Sequence, residues 1–160
     1  MAKYAEKTEV SSSRSRDEIE RTLTRYGATQ FAYAWQEGRA VIGFVLGGKQ
    51  VRLMLPLPDR GAREFVYTPE RGLKRSPEQQ AQAYEQAVRQ KWRALALVVK
   101  AKLEAVEAGI SVFEREFFYD IVLPDGRTVG EYVLPQVEES YRSGIMPPMI
   151  PALGEGVSTL

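Results

Sequence analysis

A group of five cations is the first set of side chains in this chain that could do chemistry. Arg89, Lys91, Arg93, Lys100 and Lys102 occupy one stretch that holds no Asp or Glu. At about 100° per residue on a helix, the two arginines and Lys100 fall within about 40° of one another, and the other two lysines lie on the opposite flank. Cations that neutralise phosphates supply most of the sequence-independent affinity for nucleic acids. The pattern therefore predicts a face that binds nucleic acid.

Aromatic residues could add base stacking to these charges. Phe31, Tyr33 and Trp35 recur with the period of a strand, and Arg52 lies on another candidate strand. Sheet-based proteins that bind single strands stack bases on such rings. With Tyr33 and Trp35 as stacking residues, the leading hypothesis is a protein that prefers single-stranded DNA. The alternative is that these aromatic residues belong to the core and that the cations only solvate the flanks of a helix.

The composition excludes several kinds of catalyst. The chain has no Cys, His or Asn, so it lacks a thiolate, a histidine base and the commonest ligands of transition metals. Its glycines have neither P-loop nor dinucleotide-binding spacing. Asp125 and Glu131 resemble part of a nuclease motif, but the lysine is missing, so a Mg²⁺-dependent nuclease is only a third hypothesis. We expect a non-enzymatic protein with no catalytic residues, metal or cofactor.

The proline-rich C-terminal segment suggests a different kind of partner. Met146, Met149, Ile150 and Leu153 stand among three prolines. Apolar side chains on an extended segment can enter a groove of another protein. The competing hypothesis is therefore a protein that binds itself, or a host or viral protein, through this tail and an apolar long helix. The tail could equally fold back over its own domain.

One long helix must position the cations. Ser76, Pro77 and Gln79 form a capping box with proline in the first turn, helix formers follow, and Gly109 ends the run. An apolar seam follows one face of this helix. Residues 94–99 are apolar on the other faces as well, so we expect the helix to be covered on more than one side.

The segment before this helix predicts a sheet. Residues 30–36 and 49–55 alternate between apolar and polar or small side chains, and residues 40–46 between them form the third strand candidate. Gly47 and Gly48 are typical of a two-residue hairpin loop. The expected fold class is α+β, a three-stranded antiparallel β-meander packed against one long α-helix with shorter N- and C-terminal helices.

Three further capping boxes predict the shorter helices. They are Ser15 with Glu18, Ser111 with Glu114 and Thr128 with Glu131, for helices over residues 16–26, 112–121 and 128–143.

The remaining segments complete a single predicted domain. We expect a flexible arm or edge strand over residues 1–13, a core over 14–144 and an extended tail over 145–160. Residues 59–75 are rich in Gly, Pro and Arg, which is typical of a surface loop, with a short extended piece over 64–67.

Charge is unevenly distributed along the chain. Up to Ile110 there are 19 Lys and Arg against 13 Asp and Glu, and from Ser111 onward there are 3 against 8. No apolar run approaches the length of a membrane span, and no signal-peptide core follows the first lysines. We therefore expect a cytoplasmic protein. The absence of Asn and Cys fits either a thermostable protein or a GC-rich genome.

Several motifs resemble those of a known family. They are Ser15-x-x-Glu18-Ile19-Glu20 with Tyr26-Gly27-Ala28, Arg52-x-x-x-Pro56-Leu57-Pro58, Lys91-Trp92-Arg93-Ala94-Leu95 with Lys100-Ala101-Lys102-Leu103-Glu104, and Leu123-Pro124-Asp125-Gly126-Arg127-Thr128-Val129. From about Glu9 to Leu153 the chain resembles a family of small uncharacterised proteins encoded by bacteriophages and prophages. Because no activity is established for that family, the resemblance implies no catalytic residues. It implies a viral setting inside a host cell, where small basic proteins assist replication or recombination.

Overall fold

A three-stranded sheet and two long helices make up most of the fold in the computed structural model. The structure describes residues 2–36 and 38–146, and within them the side chains from Ser12 onward. The elements follow one another as α1 (Ala2–Arg25), β1 (Thr29–Gln36), β2 (Arg39–Leu46), β3 (Lys49–Pro56), α2 (Arg63–Val66), α3 (Pro77–Glu107), α4 (Phe113–Phe117), a 3₁₀ turn (Phe118–Asp120) and α5 (Val129–Ser143). The predicted α+β fold class is confirmed.

The sheet is the predicted antiparallel meander, with strand order β1-β2-β3. Ile42 in the central strand stands opposite Tyr33 on one side and Leu53 on the other. The second hairpin turns through Gly47 and Gly48, whose φ angles are 59° and 74°. Such positive φ angles cost glycine nothing, which is why this dipeptide fixes the loop.

The core lies between one face of the sheet and α3. Phe44 and Val51 point from the sheet into this layer, where they are almost completely buried with Val88, Trp92 and Val99 of α3. Alternate residues of a strand share a face, so the period-two pattern places the apolar set on this side. Each fully buried side chain of this kind contributes on the order of 1.5–3 kcal/mol.

The long helix α3 begins and ends as the sequence predicts. The Ser76 hydroxyl accepts a hydrogen bond from the Gln79 backbone N–H at 3.2 Å, and Gln79 Oε1 accepts from the Ser76 N–H at 3.0 Å. The helix packs against the sheet, α1 and α4. Even so, Leu97 and Val98 are 61% and 48% exposed, so part of its apolar surface remains uncovered.

The N-terminal prediction was wrong. Residues 2–13 belong to helix α1, which begins at Ala2, where a flexible arm or edge strand was expected over residues 1–13, and the helix starts well before residue 16. Serine-rich segments are poor helix formers, but tertiary packing overrides that preference here. Ser12 is only 1% exposed and Ile19 and Leu23 are buried, which shows that one face of α1 is covered.

Helices α1 and α3 lie side by side and run in the same direction. The Arg16 guanidinium lies 6.0 Å from the centre of the Trp92 ring. Ten residues after Arg16, just past the end of α1, the Tyr26 hydroxyl donates to Oε2 of Glu107, fifteen residues after Trp92, at 2.5 Å. Because later positions on α1 meet later positions on α3, the two helices are parallel.

The C-terminal elements attach at the β3 edge. The Val122 N–H donates to the Gln50 carbonyl at 2.8 Å, so residues 121–122 extend the sheet. The predicted capping box of Thr128 and Glu131 starts α5, and Gly144 ends it in the left-handed conformation.

Two local predictions near these elements were wrong. Ser111 does not cap α4, because Val112 takes the N-cap position and Glu114 pairs with Lys49 at 3.0 Å. The extended piece expected over 64–67 is mostly the single-turn helix α2, which places Phe65 in the core against Tyr84.

Candidate nucleic-acid interface

Four of the five cations predicted on α3 reach solvent. Arg89, Lys91 and Arg93 are exposed and form no ion pair with any residue in the described ranges. Lys100 is exposed and lies 3.9 Å from Glu104 one turn along the helix. A solvent-exposed pair of this kind is weak, so Lys100 can still be offered to another anion.

Lys102 is the exception. It is half-buried, its ammonium donates a hydrogen bond to the Glu116 backbone carbonyl at 2.5 Å, and it lies 5.1 Å from the centre of the Phe117 ring. These contacts attach α4 to α3. The predicted phosphate contact of Lys102 therefore finds no support, because the charged group is already engaged inside the fold.

Arg52 also has a structural role in place of the predicted phosphate contact. One terminal nitrogen of its guanidinium donates to the Gly126 carbonyl at 2.9 Å, and the other donates to Glu131 Oε2 at 2.8 Å. The pKa of Glu131 lies below its usual value because the Thr128 N–H donates to the carboxylate and Arg52 lies beside it. Arg52 thus joins the sheet to the start of α5.

The aromatic residues of β1 lie on the side of the sheet that faces the helices, and Phe31 and Tyr33 pack against the core. The Tyr33 hydroxyl donates to Glu20 Oε2 at 3.2 Å, and burial raises the pKa of this tyrosine. The Trp35 ring packs against Trp92, with 5.9 Å between ring centres, and is 38% exposed. Tyr33 is half-buried and hydrogen-bonded, so its predicted base-stacking role finds no support, whereas Trp35 keeps an exposed part of its ring and its predicted role stays a prediction.

The structure adds cations from α1 that the sequence reasoning missed. An open groove of about 540 Å³ lies between α1 and α3, and we call it the α1–α3 groove. It is lined by Arg14, Glu18, Arg21, Thr22, Arg25 and Lys100.

Two rows of cations run along these helices: the row on α1 lines the groove, and from the row on α3 Lys100 lines it. On α1 the row is Arg14, Arg21 and Arg25, and on α3 it is Arg89, Arg93 and Lys100; we call these six the groove cations. Within each row the three residues fall within about 40° around the helix and span about 16 Å along it. Packed helices lie about 8–10 Å apart, so the two rows are close neighbours.

Several carboxylates lie near these rows. Around α3, Glu85 and Glu107 fall within about 40° of Arg89, and Asp17 lies beside Arg21 and Arg25. Glu18 lines the groove and Glu104 is the partner of Lys100. Lys91 lies about 180° around α3 from Lys100, so the structure does not bring it together with the groove cations. The spacing of Arg14, Arg21 and Arg25 on one helix face is the sequence signal that could have identified the α1 row.

The carboxylates considered for a nuclease serve local structure. Asp125 accepts from the Arg127 backbone N–H at 3.0 Å and from its side chain at 2.8 Å, and these bonds lower the pKa of Asp125. Glu131 caps α5. Within the described ranges no group of three or more acidic residues is placed to hold a metal ion.

The tail is described only at its start. Met146 is 73% exposed, whereas Met149, Ile150 and Leu153 lie outside the described residues, so their predicted role in partner binding stays a prediction. Among the described helices, none combines the length and the hydropathy needed to cross a membrane.

Comparisons with protein-family models, with curated proteins and with solved structures found no match for this chain. The resemblance to a family of phage proteins therefore stays a prediction.

Proposed function

We propose that this protein is a non-enzymatic nucleic-acid-binding protein whose α1–α3 groove takes up the phosphate backbone. The observation that carries the proposal is the row of three arginines on α1 that lines the groove together with Lys100 of α3. All six groove cations are exposed, and within the described part of the chain their one ion-pair partner is Glu104. In the viral setting that the resemblance implies, such a protein would assist replication or recombination.

The dimensions of the groove suit a polyphosphate. Each strand of a duplex presents one phosphate about every 3.4 Å, so a row of about 16 Å matches about five nucleotides. Five of the six groove cations are arginines, whose planar guanidinium can bind a phosphate through two hydrogen bonds. The groove lining includes no aromatic residue, so the proposal no longer carries a preference for single strands.

Salt dependence provides the test. If Glu18 and Glu104 offset two of the six groove cations, about four phosphates are neutralised. The logarithm of the association constant should then fall with the logarithm of salt concentration with a slope of about −3.6 for duplex DNA and about −2.8 for a single strand. Between 50 and 200 mM salt this weakens duplex binding about 150-fold. Fluorescence anisotropy of labelled 20-nucleotide DNA measures both slopes.

A pair of matched variants locates the site. Arg21→Ala/Arg93→Ala/Lys100→Ala removes three groove cations and should reduce the duplex slope by about 2.7. The control Arg71→Ala/Lys74→Ala/Arg115→Ala removes the same charge from exposed positions outside the groove and should leave the slope unchanged. The proposal fails if wild type does not bind at 50 mM salt, or if both variants lose affinity equally.

A second candidate function is binding of a protein partner, which is favoured by the uncovered apolar surface of α3. Leu97 and Val98 are large exposed side chains, and Ala94 and Ala101 beside them are exposed as well. Light scattering on wild type, on Leu97→Glu and on a chain ending at Gly144 tests this reading. An oligomer that dissociates in either variant and ignores DNA would favour it over the nucleic-acid proposal.

A further inference from the structure

A second, smaller cleft lies against the first half of α3. It measures about 250 Å³ and is formed between α3 and the loop that precedes it. Its lining consists of Thr68, Arg75, Gln79, Gln82, Ala83 and Gln86. The lining contains no carboxylate, and five of the six residues carry polar side chains.

The polar groups of this cleft exceed what the fold uses. The side chains of Gln82 and Gln86 are exposed and make no hydrogen bond with any residue of the described ranges. Gln79 uses its oxygen for the helix cap, which leaves its amide N–H groups. The Arg75 guanidinium has no acceptor among the described residues, and its Nε is buried. A buried donor without a partner costs free energy, and a bound ligand would remove part of that cost.

The chemistry of these groups fits the edge of a nucleobase. An amide offers a donor and an acceptor side by side, which is the pattern that glutamine uses to bind adenine, and arginine binds guanine O6 and N7 in the same two-pronged way. A phosphate offers only acceptors, so the glutamine oxygens would find no donor on it. Because Gln82 and Gln86 supply both kinds of group beside Arg75, a purine fits this cleft better than a phosphate.

The cleft also lies on the path of the α1–α3 groove. Gln82 and Gln86 fall within about 60° of Arg89, Arg93 and Lys100 around α3. The centre of the cleft and the centre of the groove are separated by about 20 Å along the helix axis. That distance corresponds to about six nucleotides of a strand in duplex geometry, so one strand can reach both.

We propose that this cleft binds a purine base of the strand whose phosphates occupy the α1–α3 groove. The inference rests on the proposed function, since the groove supplies the affinity and the cleft adds a preference among bases. In this proposal the protein contacts bases through amides and a guanidinium, and not through the aromatic residues of β1.

The experiment compares three labelled twelve-nucleotide strands by anisotropy at 100 mM salt: oligo-dA, oligo-dT and an abasic strand with the same phosphates. Wild type should bind oligo-dA about tenfold more tightly than the abasic strand. Gln82→Ala/Gln86→Ala should bind oligo-dA no more tightly than the abasic strand, with an unchanged salt slope. The control Gln90→Ala, on an exposed position of α3 outside the cleft, should keep the preference.

The outcomes separate the two proposals. Equal affinity of wild type for all three strands overturns the purine cleft and leaves the groove proposal standing. A preference for oligo-dA that persists in Gln82→Ala/Gln86→Ala also overturns the cleft, because the preference then arises elsewhere. No binding of any strand overturns the proposed function itself.

Discussion

Replacing Gly130 by alanine should destabilise the protein, although alanine is the better helix former. Gly130 lies buried in the first turn of α5, and the Tyr119 ring covers it so closely that a Cβ at this position would overlap the ring. At an uncrowded helical position the change from Gly to Ala would stabilise by about 0.5–1 kcal/mol. Overpacking of a filled site costs about 1–3 kcal/mol. We expect Gly130→Ala to lower the free energy of unfolding by about 1–2 kcal/mol.

A double-mutant cycle tests this reasoning. Tyr119→Ala removes the ring, so in that background the same Gly130→Ala change should stabilise the helix by about 0.5–1 kcal/mol. The sign of the effect therefore reverses between the two backgrounds, and the coupling energy is about 1.5–3 kcal/mol. Urea unfolding followed by circular dichroism measures all four proteins. If Gly130→Ala alone stabilises the protein, or acts equally with and without the ring, the expected clash is refuted, because the half-exposed Tyr119 ring then moves aside without cost.

Three further changes test the contacts around the site. Lys102→Met keeps the apolar stem but loses the bond to the Glu116 carbonyl; urea unfolding should show a loss of about 1–2 kcal/mol, and DNA affinity should stay unchanged. The depressed pKa of Glu131 contributes stability above about pH 4.3 that is lost as the pH falls. Between pH 5 and 3, the free energy of unfolding of Glu131→Gln should therefore fall less than that of wild type. The raised pKa of Tyr33 contributes stability below about pH 10 that is lost as the pH rises. Tyr33→Phe should therefore lose less stability than wild type between pH 9 and 11; an equal loss in either of these pH series would contradict the assigned contact.

The elements with strong local signals were predictable from the sequence. Helices α3 and α5 have complete capping boxes at Ser76 and Thr128, and both helices begin where these capping boxes predict. The meander follows from period-two alternation and from the glycine pair at its second loop. In these segments local preference and tertiary packing agree, which is the condition under which sequence patterns are reliable.

The start of the N-terminal helix was missed because local preference and tertiary packing conflict there. Four serines between positions 11 and 15 argue against a helix, whereas the structure uses a small residue at Ser12 on the covered face of α1. A capping box at Ser15 looked like a start signal because Glu18 follows at the right spacing. Packing against α3, which lies far away in sequence, decided the outcome.

Only the α3 side of the groove could be predicted from the sequence, for the same reason. The α3 row of cations appears as a pattern within one helix, but its α1 counterpart lies more than sixty residues earlier. Only the parallel placement of the helices brings the two rows together. Conversely, Arg52 and Lys102 looked free in the sequence, since their partners Glu131 and Glu116 come close only in the fold.

The position of nucleic acid in the α1–α3 groove can be mapped on the ¹⁵N-labelled protein. A twelve-nucleotide oligo-dA strand is titrated at low salt while the backbone amide and arginine Nε–H resonances are followed by NMR. We expect shift changes at residues 14–25 and 82–104, with the largest at the groove cations, and none at the Arg115 or Arg142 side chains. Shifts confined to the loop over residues 60–75 or to α5, or no shifts at all, would contradict the account.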